Sequence, residues 1–186
     1  MDKNAVKLGL FLMMVGLLSA LVLSALNGLT GPVIAANVQK ETDQAMLEVY
    51  PGADEFVSQE SQYVTDQILN VTLAMKGGET AGVIYTVETV GYGGPLTLMA
   101  AYDTGSRQIT GVRILSQSET PGLGANAGQL WFLERYTGKP SDADLLVVKT
   151  APATEYEVEA ITAATITTNA VTSGINVASA HFAGNF

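Results

Sequence analysis

Two loops in this chain bring polar side chains and glycines together in patterns that suit chemistry. The first is Glu119-Thr120-Pro121-Gly122-Leu123-Gly124. Two glycines two apart, after a proline, let a backbone approach another molecule closely. The same pattern also suits a tight connection between a strand and a helix. The second loop is Glu159-Ala160-Ile161-Thr162-Ala163-Ala164-Thr165-Ile166-Thr167-Thr168, where threonines bracket an alanine pair at an expected strand-to-helix junction. A threonine at that junction is a natural N-cap. It also stands where free N–H groups and the helix macrodipole favour an anion such as a phosphate.

What the chain lacks narrows the chemistry further. Cysteine is absent and His181 is the only histidine. Disulfides, thiol catalysis and cysteine ligation of zinc or iron–sulfur clusters by this chain are therefore excluded. A Ser-His-Asp triad could be built only around His181, which reads as a surface residue near a helix end. Asp142 and Asp144 read as a solvated turn, so no metal site is expected. Redox chemistry, if present, must come from an organic cofactor.

The formal charge of −9 is uneven. Removing Lys3, Lys7 and Asp2 from the totals of 9 basic and 18 acidic residues leaves 7 and 17, a net charge of −10 beyond residue 30. Such a surface repels nucleic acid, and no nucleic-acid partner is expected.

Several elements must position these loops. Leu8 to Leu26 is an uncharged apolar run of 19 residues. At about 1.5 Å per residue it spans roughly 28 Å, close to a bilayer core. It exceeds the apolar core of a cleaved signal, so it reads as an uncleaved transmembrane anchor in contact with lipid. Lys3 and Lys7 precede it and the next basic residue is Lys40, which places the N-terminus in the cytoplasm and the remainder outside. The turn residues Asn27 to Pro32 are expected to end this helix. A second, amphipathic helix follows from Ala35 to Tyr50, with Val38, Ala45 and Val49 on one face and Pro51-Gly52 as its stop. Residues 53–70 are polar and ambiguous.

Thr80 to Val90, Leu96 to Tyr102 and Gln108 to Leu115 are strand-like, with turns at Gly91–Pro95 and Asp103–Ser106, and suggest an antiparallel meander. Tyr85, Tyr102 and Tyr156 are expected to pack on sheet surfaces. Ala127 to Tyr136 reads as a helix, and Leu145 to Val148 and Tyr156 to Ile161 as further strands. A last helix runs from about Thr167 to Phe182, with Val171, Ile175, Ala178 and Phe182 on its inner face. The expected class is α+β: one N-terminal transmembrane helix, then an extracytoplasmic domain of antiparallel sheet with flanking helices. The expected divisions are 1–30 for the anchor, 31–75 for a membrane-proximal helical segment and 76–186 for the domain. No G-x-G-x-x-G lies between a strand and a helix, so a Rossmann site for NAD is not indicated.

Both loops resemble those of the FMN-binding domain in the G subunit of the Rnf ion-translocating electron-transport complex. The C subunit of the sodium-pumping NADH:quinone reductase shares this domain. In that family a Ser/Thr-Gly-Ala-Thr motif accepts FMN through a phosphoester to its last threonine. Thr162-Ala163-Ala164-Thr165 resembles it, with Thr165 at the acceptor position and Ala163 where the family has glycine. Glu159 stands six positions before the acceptor, where aspartate is commoner. Gly91-Tyr92-Gly93-Gly94-Pro95-Leu96, Ile109-Thr110-Gly111-Val112-Arg113, Glu119–Gly124, Trp131 and Thr137-Gly138-Lys139 follow in the family's order, and the anchor is similar too.

The resemblance implies a covalent FMN on Thr165, with Thr162, Ala163 and Ala164 around it and Glu119, Thr120, Gly122 and Leu123 lining the pocket. Tyr92 is a further lining residue or, equally, a turn aromatic covering the sheet. It implies an electron-transfer subunit of an ion-translocating ferredoxin:NAD oxidoreductase in the cytoplasmic membrane. Its partners would be other integral membrane subunits and, during maturation, a flavin transferase. No general acid, base or nucleophile is needed for electron transfer. Two alternatives stand beside this: a C-type subunit of the quinone reductase, and an anchored FMN-binding or scaffold module without redox turnover.

Overall fold

The computed structural model describes residues 3–59 and 63–186. The chain divides into two compact units, Met1–Thr42 and Asp43–Phe186. The first unit is helical. Its helix belongs to α1 (Lys3–Val49), which continues unbroken through Pro32. The expected stop at Asn27–Pro32 is therefore not observed. Proline in a helix interior removes one hydrogen bond and crowds the carbonyl four residues back, here that of Gly28. Gly28 and Gly31 have open space around them, and the Thr30 hydroxyl donates to the Leu26 carbonyl at 2.9 Å. Continuing the helix keeps the remaining backbone groups paired, the only arrangement an apolar environment allows at low cost.

No charge occurs between Lys7 and Lys40, and a window of α1 reaches a mean hydropathy of 2.4 with none of it buried in the protein. The helix is thus long and apolar enough to cross a membrane. The uncharged stretch of 32 residues would extend roughly 48 Å, so part of it must lie outside a hydrocarbon core of about 30 Å.

The second unit is built on a five-stranded antiparallel meander in sequence order: β1 (Glu55–Gln59), β2 (Ile68–Lys76), β3 (Glu79–Val90), β4 (Pro95–Asp103) and β5 (Ile109–Ser116). Beyond Val49 the segment 31–75 is not helical. It contributes β1 and nearly all of β2, in a stretch whose polar residues hid the alternation. The register Val83↔Tyr102, Tyr85↔Ala100 and Val87↔Leu98 carries one apolar row across β3 and β4. Because side chains alternate along a strand, Ile84, Met99 and Ala101 face the opposite way. There they are packed with Ala45 and Val49 from the end of α1 and with Tyr50.

The first row is covered by α3 (Thr165–Asn185), whose Val171, Ile175, Ala178 and Phe182 are fully buried. Gly174 lets α3 lie close to the sheet, since a Cβ there would stand 2.9 Å from both Leu98 Cδ2 and Thr89 Cγ2. Tyr102 donates to the Ile175 carbonyl at 2.9 Å and the Tyr136 hydroxyl meets Thr172 Oγ1 at 2.8 Å. Burial pushes both phenols well above their ordinary pKa.

The helix expected over Ala127–Tyr136 is broken into a 3-10 turn at Gly124–Gly128 and one helical turn, α2 (Leu130–Leu133). Gln129 between them is extended, with ψ of 140°, which a continuous helix would not permit. A small parallel pair, β6 (Leu146–Val148) and β7 (Glu157–Glu159), completes the fold. His181 is half-buried: its Nδ1 lies 3.1 Å from the Tyr85 hydroxyl, and Tyr63 and Tyr85 meet its ring edge-on. Burial lowers its pKa.

Candidate functional site

The backbone leading into α3 is unusual. Ala163 has φ of 62°, in the left-handed region that glycine favours, and Ala164 takes the N-cap position. An alanine has no side chain with which to cap, so none of the expected threonine caps is made. The first intrahelical bond runs from the Thr168 N–H to the Ala164 carbonyl at 3.0 Å. The N–H groups of Thr165, Ile166 and Thr167 precede it and have no partner within the helix.

The four threonines here are distinguished by what their hydroxyls do. Thr168 is buried, donates to the Ala164 carbonyl at 3.0 Å and accepts the Ile161 N–H at 3.1 Å, closing the connection from β7. Thr167 is buried and donates to Glu119 Oε2 at 2.9 Å. Thr162 is exposed. Thr165 is half-buried, and its hydroxyl makes no hydrogen bond to another described residue.

Opposite this helix start stands the loop Glu119–Gly124. Gly122, with φ of 77°, makes its turn, and the Thr120 carbonyl accepts the N–H groups of Leu123 and Ala125 at 3.1 and 3.2 Å. Glu119 is buried, and its Oε1 accepts the Gly93 N–H at 3.1 Å. That bond ties in the Gly91–Gly94 turn, which is closed by Gly91 N–H to the Gly94 carbonyl at 2.8 Å.

Between these three segments lies a cavity of about 430 Å³. Of the expected site residues, Tyr92, Glu119, Thr120, Leu123, Ala163, Ala164 and Thr165 line it. Gly122 and Thr162 do not: Gly122 shapes the loop, and Thr162 is exposed, just before the left-handed Ala163. Gly124, Ile166 and Thr167, which belong to the two loops but were not among the expected site residues, line it too. Gly124 closes the motif at 119–124, and Thr167 lies one helical step beyond Ile166, but its partner Glu119 is 48 residues away, which spacing cannot reveal. Tyr92, Leu123 and Ile166 expose much of their apolar surface at the rim.

Glu159 is not in this wall. The Arg135 guanidinium donates to its backbone carbonyl and lies 3.8 Å from its carboxylate, while stacking 5.1 Å over the Trp131 ring. The acidic residue six positions before Thr165 thus anchors the end of β7 against the α2 region.

A cavity of this size lies within the range of small-ligand sites, and its parts suit a flavin mononucleotide. Three N–H groups at a helix start, unpaired among the described residues, suit a phosphate. The Thr165 hydroxyl, without a hydrogen-bond partner among the described residues, stands beside them, and an apolar rim suits an aromatic ring system.

Residues 91–180 match the FMN-binding domain family. The chain is 36% identical, over 94% of its length and 90% of the relative's, to the G subunit of the Na(+)-translocating ferredoxin:NAD(+) oxidoreductase complex of Acetobacterium woodii. It is 33% identical, over 87% and 82%, to the G subunit of the proton-translocating ferredoxin:NAD(+) oxidoreductase complex of Clostridium ljungdahlii. The crystal structure of the C subunit of the Na(+)-translocating NADH-quinone reductase from Parabacteroides distasonis superposes with a TM-score of 0.54 at 26% identity, covering 61% of this chain and 60% of that one. By its sequence, the chain belongs to the G-subunit family of ion-translocating ferredoxin:NAD oxidoreductase (Rnf) complexes.

Proposed function

We propose that this chain is the FMN-carrying electron-transfer subunit of a membrane-bound ion-translocating ferredoxin:NAD oxidoreductase, with the flavin joined by a phosphoester to Thr165. The observation that carries the reading is the first turn of α3. Among its threonines, Thr165 alone combines a place in the cavity wall with a hydroxyl not engaged by another described residue.

FMN supplies the one- and two-electron chemistry that these side chains lack. The chain's own part is to bind and orient. The N–H groups of Thr165, Ile166 and Thr167 hold the phosphate, and Tyr92, Leu123 and Ile166 give the ring apolar contact. The Glu119–Gly124 loop closes the inner wall. Attachment through the phosphate leaves the ring electronics to be set by this wall.

The helix α1 anchors the protein in the cytoplasmic membrane and meets the integral membrane subunits and lipid. Lys3 and Lys7 keep the N-terminus inside, so the flavin domain lies outside. Ferredoxin and NAD are handled by other subunits, and a flavin transferase matures this one.

The test is the intact mass of the denatured protein purified from its native membrane, followed by peptide mapping. One FMN less water on the peptide containing Thr165 supports the reading. An unmodified mass, from membranes in which the transferase is active, rejects it. The methyl of Ala163 at a glycine-favouring φ of 62° is the observation that favours a second reading, an anchored module without redox turnover. That reading requires the unmodified mass.

A further inference from the structure

Glu119 is 8% exposed, yet both of its carboxylate oxygens are engaged, by the Gly93 N–H at 3.1 Å and the Thr167 hydroxyl at 2.9 Å. Its own N–H donates to Gln117 Oε1 at 2.7 Å. The room for the carboxylate comes from absent side chains. A Cβ on Gly91 would overlap Oε1, and one on Gly124 would overlap Oε2 and stand 2.6 Å from Thr167 Oγ1. Three segments that are distant in sequence therefore meet on one carboxylate: the turn 91–94, the loop 119–124 and the first turn of α3.

The contact matters because of where Thr167 stands. It is 1% exposed and lies two residues after Thr165 on the same helical turn. Successive helical residues are related by a rotation of about 100° and a rise of about 1.5 Å. Holding the Thr167 side chain inward therefore fixes the rotation of that turn, and with it the direction of the Thr165 Cα–Cβ bond that carries the hydroxyl. Thr168 ties the same turn back to Ile161 from the side of β7, and Glu119 is its tie to the 91–94 and 119–124 segments, where Ala164 offers no side-chain cap.

We propose that Glu119 is a positioning residue for flavin attachment, acting through Thr167 to aim the Thr165 hydroxyl at the incoming flavin phosphate. The inference rests on Thr165 as the acceptor. In the attachment step Thr165 Oγ1 attacks the phosphorus of a flavin phosphoanhydride. The new ester P–O bond forms, the anhydride P–O bond breaks, and the nucleotide half leaves. The hydroxyl proton passes to a base on the transferase. Glu119 takes no part in that proton transfer, because its oxygens meet the Gly93 N–H and the Thr167 hydroxyl and not the Thr165 hydroxyl.

The experiment uses the full-length chain in detergent, purified without flavin and incubated with the transferase and flavin adenine dinucleotide as the phosphoanhydride. Covalent flavin is followed by in-gel fluorescence and intact mass, and melting temperature is recorded for each protein. Thr167→Val keeps the packing and removes the donor, Thr167→Ser keeps the donor, and Glu119→Asp keeps the charge but withdraws it by one carbon. The expected result is a fall of about tenfold or more in kcat for Thr167→Val and Glu119→Asp, with KM for the chain within about twofold. Thr167→Ser should restore the rate to within about threefold of the wild type. Wild-type rates in Thr167→Val and Glu119→Asp overturn this inference and leave the acceptor assignment standing. Rates that fall only in proportion to lost folded protein also overturn it. A wild-type chain that takes no flavin overturns the acceptor assignment and this inference together.

Discussion

The Tyr50 hydroxyl, one residue beyond α1, is shared between Asp103 Oδ2 at the end of β4 and the Ala81 carbonyl, each at 2.9 Å. It fastens the last turn of α1 to the sheet. Burial, reinforced by the hydrogen bond to Asp103 and its charge, pushes the Tyr50 phenol up to about 12. Asp103 moves the other way: the Ser106 N–H, helped by the Tyr50 hydroxyl and the Gly105 N–H and opposed by burial, holds it below the ordinary 3.8.

The contact therefore makes stability depend on pH at both extremes. A raised phenol stabilises the folded state fully below its unfolded value, near 10, and that contribution is lost as pH rises toward about 12. A lowered carboxyl stabilises above 3.8 and loses its contribution as pH falls through the folded value. Tyr50→Phe is expected to cost about 1 kcal/mol at neutral pH and to move the onset of acid unfolding to higher pH. Thermal melts across the pH range check this. An unchanged acid limb in the variant would show that Asp103 does not depend on Tyr50.

Thr165→Ala is expected to abolish covalent flavin while leaving the fold intact. The Thr165 side chain is half-buried and its hydroxyl has no described protein partner, so the substitution should change stability by no more than about 0.5 kcal/mol. Denaturing gel fluorescence reads the flavin and a urea titration reads the fold. Flavin retained after denaturation moves the acceptor to another hydroxyl, with Thr162 the exposed neighbour. Loss of cooperative unfolding would mean that Thr165 has a structural role the cavity does not reveal.

Much of this architecture was legible from residue types and spacing. Thr80–Val90 and Leu96–Tyr102 were legible from strand-favouring residue types between turn signals, and α3 from the spacing of Val171, Ile175, Ala178 and Phe182, which records its one buried face. The strands β1 and β2 were not legible, because Glu55–Gln59 is an exposed edge strand and a register shift between Ile68 and Asn70 interrupts the alternation of β2. Pro32 misled for a different reason: a local breaker signal is overridden where the surrounding segment must keep its backbone paired. At the site, motif spacing singled out the loops and the threonine at the helix start. It missed the convergence of Gly93, Glu119 and Thr167, which only the packing of three segments creates.

Ala163→Gly is expected to stabilise the domain slightly. Alanine at φ of 62° carries a steric cost of about 1–2 kcal/mol relative to the right-handed region. Glycine removes that cost but adds roughly 0.4–1 kcal/mol of unfolded-chain entropy. The net gain should be about 0.5 kcal/mol, visible as a higher urea midpoint with an unchanged slope. The methyl is exposed, so no packing is lost. A lower midpoint would mean that the methyl makes a contact that compensates the strain.

Glu119→Gln separates the charge of Glu119 from its shape. Glutamine fills the same volume, and its carbonyl can still accept the Gly93 N–H. Its amide can donate to Thr167 Oγ1 if that hydroxyl turns, so the three segments stay joined. What is lost is a buried negative charge in the wall of the flavin cavity. Reduction adds negative charge to a flavin, and two like charges roughly 8 Å apart at an effective dielectric near 20 oppose each other by about 2 kcal/mol. Removing one is expected to raise the flavin midpoint potential, by an amount on the order of tens of millivolts. Spectroelectrochemical titration of the flavin-loaded protein measures this, with Glu119→Asp as a charge-retaining control. A potential unchanged in Glu119→Gln, with flavin loading intact, would place the ring beyond the electrostatic reach of this carboxylate.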